Sequence, residues 1–379
     1  MKKKTAKQPN RTWVEINTKA IETNTQTLKA VLRDEAFLIA VVKSNAYGHG
    51  MVMSAKAALN GGANRLAVDE LSEALELRAA GIKAPILVLG YTLPDLYAVA
   101  AQKNVVITIS SLDSLQTLSK MRFAKKPRIH LKFDTGLHRQ GIPESQVQQA
   151  IRIASNKKFT AIVEGMYTHF AVMESPHRAE YSKSQIRLFN AITVKAQEKG
   201  LPAFVHASAS SGILFSKDFH CASARAGIAI YGLWPSSDIR KWADGTTLVP
   251  ALSWKTIVTE VKLVSKGKRV GYDLTHEAAR DSRLAIIPVG YWHGLPRNLS
   301  NVGTVLVGGT RAPIVGRVSM DMTIIDVTDI PSVKQGDEAV IIGTQGKETL
   351  SAEEVAEAAG TINYEIVTRI NPLIPRIEL

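Results

Sequence analysis

The sequence predicts an α/β plus all-β protein, with an N-terminal (β/α)8 barrel of the TIM type followed by a C-terminal β-rich domain. Eight short runs rich in β-branched residues recur between residues 37 and 231, with stretches of helical periodicity between them. After residue 247, apolar and polar residues alternate without intervening helices. We therefore expect a barrel over residues 11–245 and a β domain over 246–379, with residues 12–16 as a candidate strand of the β domain. An open, doubly wound sheet is also compatible with the periodicity of the first part.

The barrel elements follow one another in the order that repeated βα units require. Two helical segments end just before Gly81 and Gly200, the residue type that most often terminates a helix, and Asn17 can cap a helix ahead of the first strand. The predicted helices are residues 17–32, 69–80, 143–155 and 180–199. The predicted strands are residues 37–42, 65–68, 85–89, 105–109, 128–133, 159–166, 203–206 and 225–230.

The second domain is predicted from alternation and from one capping signature. Its strand candidates are residues 252–262, 284–288, 304–307, 313–318, 322–327 and 338–342. Ser351 and Glu354 have the spacing of a capping box, which predicts a helix that ends at about Ala359, before Gly360.

Composition places the chain among ordinary globular proteins. Lys and Arg number 47 against 34 Asp and Glu, a formal net charge of +13. Outside the first seven residues the basic residues are scattered, with neither zinc-finger spacing nor an aromatic-rich stacking motif beside them. This pattern disfavours a dedicated nucleic-acid-binding protein and offers no metal-ligand spacing.

The compartment is predicted from cysteine usage and from the first residues. Cys221 is the only cysteine, so the chain can form no internal disulfide. Polar residues 5–10 follow the basic start, where a signal peptide would need an apolar core, and no apolar run approaches the roughly 20 residues of a membrane span. We expect a soluble, cytoplasmic protein.

Polar side chains follow several of the predicted barrel strands, at the ends where barrels carry their active sites. Lys43 follows the first strand, where partial desolvation favours the neutral amine that can form an imine with a carbonyl, although a single strand-end lysine is more often a snorkelling one. Hydroxyl residues after the seventh strand and backbone N–H groups near the eighth suit a phosphate. Amine, phosphate site and cations together predict a site for pyridoxal 5′-phosphate. The other polar residues at these strand ends are Lys132, Arg139, His169, Ser210 and Arg225.

Residues 40–50, Ala-Val-Val-Lys-Ser-Asn-Ala-Tyr-Gly-His-Gly, closely resemble the cofactor-lysine motif of alanine racemases. The resemblance extends from Trp13 to Pro375. It implies a pyridoxal-phosphate-dependent isomerase that interconverts L- and D-alanine through an external aldimine and two bases, supplying D-alanine for peptidoglycan. It also implies a head-to-tail homodimer that acts on a small amino acid. The matching segments are residues 130–136, 164–170, 225–232, 313–321 and 361–365.

The resemblance also implies a role for each matching residue. Lys43 corresponds to the residue that holds the cofactor as a Schiff base and serves the D-alanine face, and Tyr272 to the tyrosine that serves the L-alanine face from the partner subunit. Arg225 corresponds to the arginine facing the pyridine nitrogen, and His169 to a ring neighbour. The residues matching phosphate contacts are Tyr47, Ser210, Gly227, Ile228 and Tyr364.

The remaining correspondences concern the substrate and the entrance. Arg139 matches the arginine near the substrate carboxylate and the cofactor's phenolic oxygen, and Lys132 a lysine that is carbamylated in many family members. Met320 matches a backbone contact to substrate. Tyr291, Arg317 and Asp321 resemble entrance residues.

The chain departs from the family pattern at four places and leaves alternatives open. Leu137-His138, Ala209, Trp292 and His293 replace residues that are common in the family, and Trp292 and His293 could alter the entrance. Racemisation of serine or of many amino acids is one alternative, because an apolar pocket discriminates weakly against an added hydroxyl. Another is a noncatalytic pyridoxal-phosphate carrier, although its single-barrel relatives lack the β domain.

Overall fold

The computed structural model describes residues 10–173, 179–243 and 245–379. These residues form two compact units. The barrel unit comprises the described residues of Lys19–Ala46 and Met51–Pro250, and the β unit comprises residues 10–18, Tyr47–Gly50 and Ala251–Leu379. The short stretch Tyr47–Gly50 therefore belongs to the β unit, although it follows the first barrel strand directly in sequence.

Strand β1 (Thr12–Ile16) and helix α1 (Thr18–Val31) precede eight parallel strands that close into a barrel, which confirms the predicted fold class. Each barrel strand pairs with the next along the chain, and the last returns to the first with Phe37 opposite Ser223. Strands covered on both faces are expected to be almost continuously apolar. The barrel strands are β2 (Phe37–Val41), β3 (Arg65–Val68), β4 (Ile86–Tyr91), β5 (Val105–Ile109), β6 (Arg128–Lys132), β7 (Ile162–Tyr167), β8 (Val205–His206) and β9 (Ser223–Ala226).

The helices of the barrel unit are capped and packed by local sequence. Before Leu112–Lys120, Ser111 Oγ accepts the N–H of Ser114 at 3.1 Å, and Leu112, Leu115 and Leu118 are buried at three-residue spacing. Burial of each leucine contributes about 1.5–3 kcal/mol. After α1 the helices are α2 (Met51–Asn60), α3 (Leu71–Ala79), α4 (Tyr97–Gln102), α5 (Leu112–Lys120), α6 (Val147–Ala154), α7 (Ala179–Gln197), α8 (Ser210–Phe215) and α9 (Ser237–Trp242).

The predicted strand over residues 225–230 is wrong beyond its first two residues. Strand β9 ends at Ala226, and Ile228–Tyr231 forms a 3-10 turn. Gly227 leaves the extended conformation, with φ −109° and ψ −102°, and its N–H donates to Ser210 Oγ at 2.9 Å. The Ser210 hydroxyl therefore accepts an N–H that a neighbouring strand would otherwise bond, and the strand ends here.

The strands of the β unit form a seven-stranded sheet, a three-stranded sheet and a two-stranded ribbon. In the largest sheet, β1 lies between two strands from the far end of the sequence, with Val14 opposite Trp254 on one side and Arg376 on the other. The strands after β9 are β10 (Leu252–Ile257), β11 (Glu260–Val264), β12 (Arg269–Val270), β13 (His276–Glu277), β14 (Ser282–Ile287), β15 (Thr304–Val307), β16 (Thr310–Pro313), β17 (Thr323–Asp326), β18 (Glu338–Gln345), β19 (Glu348–Leu350) and β20 (Arg376–Glu378).

Two strand predictions in the β unit are wrong. Residues 252–262 form two strands in different sheets, because the N–H of Val258 bonds Asp337 O and that of Thr259 bonds Ile286 O. Residues 314–318 lie outside any strand, because Gly316 has a φ of 73° and its N–H donates to Asn301 Oδ1 at 2.6 Å. In both cases hydrogen bonds to distant residues redirect the chain.

The predicted capping box near the C-terminus is confirmed. Ser351 Oγ accepts the Glu354 N–H at 3.1 Å, and Glu354 Oε2 accepts the Ser351 N–H at 2.9 Å. Gly360 ends the helix with a φ of 70°. The two helices of the β unit are α10 (Ala352–Ala359) and α11 (Asn363–Thr368).

Across residues 10–173, 179–243 and 245–379, no helix combines the length and apolar character needed to cross a lipid bilayer.

Candidate active site

Lys43 and Asp69 face each other at the carboxyl ends of neighbouring barrel strands. Lys43 follows β2 and Asp69 follows β3. Nζ of Lys43 donates to Oδ1 of Asp69 at 2.9 Å, and the lysine side chain is 36% exposed. The sequence-predicted amine therefore lies at the barrel mouth, accessible to a ligand and held by one carboxylate.

A left-handed turn follows Lys43 immediately. Residues 44–47 have φ values of 53° to 55°, although none is glycine. This conformation costs about 1–2 kcal/mol per residue. Two hydrogen bonds hold it: Ala46 N–H donates to Val42 O at 2.9 Å, and Met51 N–H donates to Asn45 Oδ1 at 2.9 Å. The strain at these residues is therefore offset by contacts that fix the backbone beside the amine.

Arg225 carries a buried positive charge at the end of β9. One terminal nitrogen lies 2.8 Å from both Thr168 O and Ala207 O and 3.2 Å from His169 Nδ1. The other donates to His206 Nδ1. Burial lowers the pKa of Arg225 to about 10. The guanidinium is therefore still charged at neutral pH, and its orientation is fixed by acceptors on three sides.

Two buried histidines continue the hydrogen-bond chain from Arg225. A guanidinium can only donate, so His206 Nδ1 accepts and His206 Nε2 carries the proton that is donated to His130 Nδ1, 2.9 Å away. Burial, with nearby arginines, lowers the pKa of His130 to about 3 and that of His206 well below its usual range. Both rings are therefore neutral, with their tautomers set by Arg225.

Gly165 leaves room for the His130 ring. A Cβ at position 165 would lie 2.9 Å from His130 Nε2 and 2.7 Å from Phe204 O. Sequence reasoning missed the roles of His130 and His206. The available signal was the two-residue spacing of His130 and Lys132 on one strand, which places both side chains on the same face.

Lys132 is a second lysine in the barrel, and it is buried. Its Nζ donates to Gln140 Oε1 at 3.1 Å and lies 5.5 Å from the ring centroid of Tyr167. Burial, with Arg225 and Arg139 nearby, lowers the pKa of Lys132 to about 7. A large fraction of this amine is therefore neutral near pH 7. Gln140 as its partner was also not predicted.

His169 shares the electrostatic environment of the barrel mouth. Burial and then the charges of Arg225, Arg139, Lys132 and Lys43 lower its pKa well below the usual range. Because the guanidinium of Arg225 faces His169 Nδ1, that nitrogen presents its lone pair and Nε2 carries the proton. The imidazole of His169 is therefore neutral.

Arg139 is exposed and belongs to a loop shaped by Asp134. Oδ1 of Asp134 accepts the N–H groups of Gly136, Leu137 and His138 at 2.9–3.1 Å. Burial alone would raise the pKa of Asp134, but these hydrogen bonds outweigh it and lower the pKa. The carboxylate is therefore used to turn the chain rather than to neutralise the cations of the mouth.

Ser210, Gly227 and Ile228 lie together in the barrel unit. Ser210 begins helix α8, and its Oγ accepts the Gly227 N–H at 2.9 Å and that of Ala229 at 3.4 Å. The hydroxyl proton remains available to an anion. Ala209, one of the departures from the family pattern, occupies the position just before the helix.

Tyr47 and Tyr364 lie together in the β unit. Their ring centroids are 6.2 Å apart, with planes inclined by 53°. Gly48 makes this possible, because a Cβ there would lie 2.0 Å from Val367 O and because its φ is 84°. Arg376 Nε also donates to Gly48 O at 3.0 Å. The backbone beside Tyr47 is thus tied to the helix that carries Tyr364 and to the last strand.

Tyr272 lies on the surface of the β unit, with 69% of the residue exposed. Gly271, with a φ of 77°, precedes it, and Asp273, with a φ of 58°, follows it. Asp273 pairs with Arg317 at 3.4 Å and Arg297 at 3.9 Å. The turn that carries the phenol is therefore held by an ion-pair cluster, while the phenol itself is exposed.

The backbones of residues 291–292 and 319–320 are joined by two hydrogen bonds. Tyr291 N–H donates to Ser319 O and Trp292 N–H to Met320 O, both at 3.0 Å. A Cβ at Gly290 would lie 2.1 Å from Ser319 O, so only glycine permits this approach. Met320, Tyr291 and Trp292 are exposed on the β unit.

His293 and Asp321 interact electrostatically in the same region. His293 Nδ1 accepts the Gly290 N–H at 3.2 Å. Burial lowers the pKa of His293, and Asp321 opposes that shift. The departures at Trp292 and His293 thus lie beside three of the sequence-predicted substrate and entrance residues.

The donor set of the barrel mouth fits an anionic, phosphorylated carbonyl compound. Lys43 supplies an amine, Ser210 a hydroxyl, and Arg225 a fixed cationic donor. Arg139 adds a cationic group and Lys132 a second amine, whereas Asp134 is occupied by its own loop. No group of three or more His, Cys, Asp and Glu residues suited to a metal ion occurs within the described ranges. The fold and this donor set suit a barrel enzyme with a reactive lysine amine, and pyridoxal phosphate has the functional groups that match it.

Comparison with known proteins specifies the class further. Residues 16–235 match the alanine racemase N-terminal domain family and residues 251–378 the alanine racemase C-terminal domain family. Alanine racemases from Methanococcus maripaludis and Desulfosudis oleivorans are each 39% identical to the chain. The match covers 97% of this chain and 98% of the first relative, and 96% of each for the second.

Solved structures agree with the sequence matches. Alanine racemase from Bacillus anthracis, with bound L-Ala-P, is 38% identical, with a TM-score of 0.89 over 99% of this chain and 96% of that one. Alanine racemase from E. faecalis is 35% identical, with a TM-score of 0.90 over 98% of both chains. The chain belongs to the alanine racemase family. It is thus a pyridoxal-phosphate-dependent isomerase.

Proposed function

We propose that the protein interconverts L-alanine and D-alanine by a two-base mechanism in which Lys43 and Tyr272 carry the proton on opposite faces of the α-carbon. The observation that carries this proposal is the Lys43 amine at the barrel mouth, which is held by Asp69, together with Arg225, whose charge acts with that of Lys43 on His169. When bound, pyridoxal phosphate supplies an electron sink that makes the α-proton of an amino acid removable by a side-chain base.

Lys43 holds the cofactor and serves the D-alanine face. Its Nζ can accept a proton when neutral and return it when charged, as a general base and acid must. The strained turn after it and the contact with Asp69 restrict where Nζ can lie. A restricted amine keeps proton transfer on one face of the substrate.

Tyr272 serves the L-alanine face, because inversion requires a second group opposite the first. Its side chain is largely exposed on the β unit, where a second copy of the chain can cover it. We therefore propose a head-to-tail homodimer in which the partner's Tyr272 completes the site of Lys43. Each dimer then has two composite sites.

Arg225 faces the pyridine nitrogen of the cofactor and remains a donor throughout turnover. With a pKa of about 10 the guanidinium stays protonated at neutral pH, and His206 and the carbonyls of residues 168 and 207 fix its direction. The guanidinium would donate a hydrogen bond to the pyridine nitrogen while keeping its proton. This would weaken electron withdrawal by the cofactor and disfavour side reactions such as transamination. His169 packs beside the ring.

The phosphate is held by hydroxyls and backbone N–H groups. Ser210 supplies its hydroxyl proton and Ile228 its backbone N–H, while Gly227, whose own N–H bonds Ser210 Oγ, positions that hydroxyl. The family resemblance adds Tyr47 and Tyr364 as phosphate contacts. Backbone N–H groups near a turn are suited to a dianion because they donate without a charge of their own.

The substrate carboxylate binds near Arg139. Lys132 lies among the same cations, and its largely neutral amine can react with carbon dioxide to form a carbamate that would balance them. Met320 offers a backbone contact to substrate, and Tyr291, Arg317 and Asp321 line the entrance. We place the reaction in the cytoplasm, where D-alanine serves peptidoglycan synthesis.

A racemisation assay over a panel of L- and D-amino acids tests the function. We expect alanine to be the preferred substrate, serine to be slower, and Lys43→Ala to abolish both racemisation and the covalent cofactor. Lys103→Ala, an exposed lysine, is the matched control. A serine rate equal to that of alanine would support a broad-specificity racemase, and no turnover of any amino acid would support a cofactor carrier.

A further inference from the structure

A single carboxylate, that of Glu73, joins the backbone after Lys43 to the backbone that carries Asp69. Oε1 of Glu73 accepts the Ser44 N–H at 2.5 Å, and Oε2 accepts the N–H groups of Asp69 at 2.7 Å and Glu70 at 3.2 Å. Ser44 is the first residue of the left-handed turn. One side chain on helix α3 thus holds the ends of two neighbouring barrel strands.

These contacts close a ring around the amine. From Lys43 the ring passes to Ser44, through the carboxylate of Glu73 to Asp69, and back through Asp69 Oδ1 to Lys43 Nζ at 2.9 Å. The backbone of Asp69 is held further by the Gly90 N–H, which donates to Asp69 O at 2.9 Å. Both the backbone that follows Lys43 and its Nζ atom are therefore held in place by hydrogen bonds.

Helix capping alone does not account for the contacts of Glu73. A residue at this position in the first helical turn normally returns its side chain to the N–H at the helix start, which here is that of Glu70. The Ser44 N–H comes from a different strand end, 29 residues earlier in the chain. Oε2 of Glu73 makes the usual capping contact with the Glu70 N–H, whereas Oε1 accepts the N–H of Ser44, the residue after Lys43.

We propose that Glu73 is a positioning residue for Lys43, which holds the strained turn in the conformation that directs Nζ to the cofactor. This inference rests on the proposed function, because it assigns the cofactor to Lys43. Left-handed residues other than glycine persist only where their surroundings fix them. Without the Glu73 contact the turn can relax, and Nζ then samples positions away from the reactive carbon.

Glu73→Gln separates the two tasks of the carboxylate. Glutamine can still cap a helix at this position, but it keeps one acceptor oxygen, so it cannot satisfy both strand ends. Glu73→Asp keeps the charge and shortens the side chain by one methylene. Glu76→Gln, the same change at an exposed position of α3, is the matched control.

The test measures covalent capture of pyridoxal 5′-phosphate by the cofactor-free protein. Capture is followed by visible absorbance and by the mass of the Lys43 peptide after borohydride reduction. We expect Glu73→Gln and Glu73→Asp to slow capture roughly tenfold to a hundredfold, and to weaken the visible circular dichroism of each bound cofactor, with Glu76→Gln unchanged. Capture and circular dichroism equal to wild type in both Glu73 variants would overturn the proposal.

The outcomes separate this inference from the proposed function. If wild type itself attaches no cofactor at Lys43, the proposed function fails. If wild type does and the Glu73 variants match it, only the positioning role fails. Should both variants unfold, hydrogen exchange in wild type decides: slow exchange of the Ser44 N–H supports the contact, and exchange at the rate of an open loop overturns it.

Discussion

Arg225 shows how a buried charge is maintained in this barrel by neutral acceptors. Its terminal nitrogens bind two carbonyl oxygens and two imidazoles, all oriented by neighbouring strand ends. A carboxylate there would compete for the same N–H groups. Neutral acceptors leave a net positive site that suits a ligand with several negative charges.

Tyr272→Phe should impair proton exchange on one face only. The phenol is the proposed base for the L-alanine face, so exchange of the α-proton of L-alanine for deuterium should slow roughly 10²- to 10⁴-fold, the usual contribution of a general base. Exchange from D-alanine, which depends on Lys43, should change little and provides the internal control. NMR of the α-proton signal in D₂O measures both rates. Equal slowing of both would remove Tyr272 as the second base.

Lys132 should make stability depend on pH. Its pKa is about 7 in the fold against 10.5 in the unfolded chain, because burial disfavours the charge. Below pH 7 Lys132 is protonated in both the folded and the unfolded state, so the folded state carries the full free-energy cost of burying the charge. Between pH 7 and 10.5 the unfolded chain binds more protons, so stability rises with pH, by at most about 1.4 kcal/mol per unit.

Lys132→Met removes the titrating amine. The free energy of unfolding of this variant should therefore exceed that of wild type most at pH 6, and the difference should shrink as the pH rises to 9. Urea unfolding in buffers free of carbon dioxide measures the difference. Lys103→Met, at an exposed lysine, should differ from wild type by the same amount at every pH. A pH-independent difference for Lys132→Met would show that Lys132 keeps an ordinary pKa.

At the scale of elements, three barrel strands are joined by one buried acid. Glu164 on β7 pairs with Arg65 on β3 and, at 2.8 Å, with Arg128 on β6. Its side chain is only 12% exposed. The charges are therefore mutually dependent, because each arginine would be costly to bury without the carboxylate.

Glu164→Gln should destabilise the protein by about 3–5 kcal/mol, because it leaves two arginines without a counter-charge. Glu277→Gln removes an acid of the same type from an exposed pair with Arg269 and should cost less than about 1 kcal/mol. Urea unfolding of both variants at one pH provides the comparison. A loss below 1 kcal/mol for Glu164→Gln would mean that the three side chains are well solvated.

At the scale of the whole molecule, the proposed shared site predicts how much activity a mixture of two inactive variants should recover. In a head-to-tail dimer, Lys43→Ala and Tyr272→Phe subunits form a mixed dimer with one intact site and one doubly altered site. Random pairing of equal amounts should therefore restore roughly a quarter of wild-type activity from two inactive proteins. Refolding the variants separately before mixing provides the control. No recovery after joint refolding would mean that each chain supplies its own tyrosine.

The sequence predicted the elements better than their ends. The eight barrel strands follow from β-branched runs, and the capping box from Ser351 and Glu354. The errors occur at Gly227, at residues 258–259 and at Gly316, where hydrogen bonds to distant residues turn the chain. Local periodicity contains no information about such bonds.

Part of the candidate site could be predicted from the sequence in the same way. Lys43, Lys132 and Arg225 could be placed because barrel strands present their ends to one rim. His206, Gln140 and Glu73 could not, because their roles depend on which side chain lies opposite. Asn, Gln, Glu and His are too common in surface positions for their spacing alone to indicate such roles.

The sequence by itself determined the repeated βα pattern, the β-rich second part, and the lysine that follows the first strand, because strand periodicity and strand-end position are local properties of the chain. Only the tertiary structure decided that β1 lies between β10 and β20, that His130 and His206 fix the Arg225 guanidinium, and that Glu73 holds the turn after Lys43. Each of these depends on the distance between groups far apart in sequence, and that distance is set by closure of the sheets and barrel.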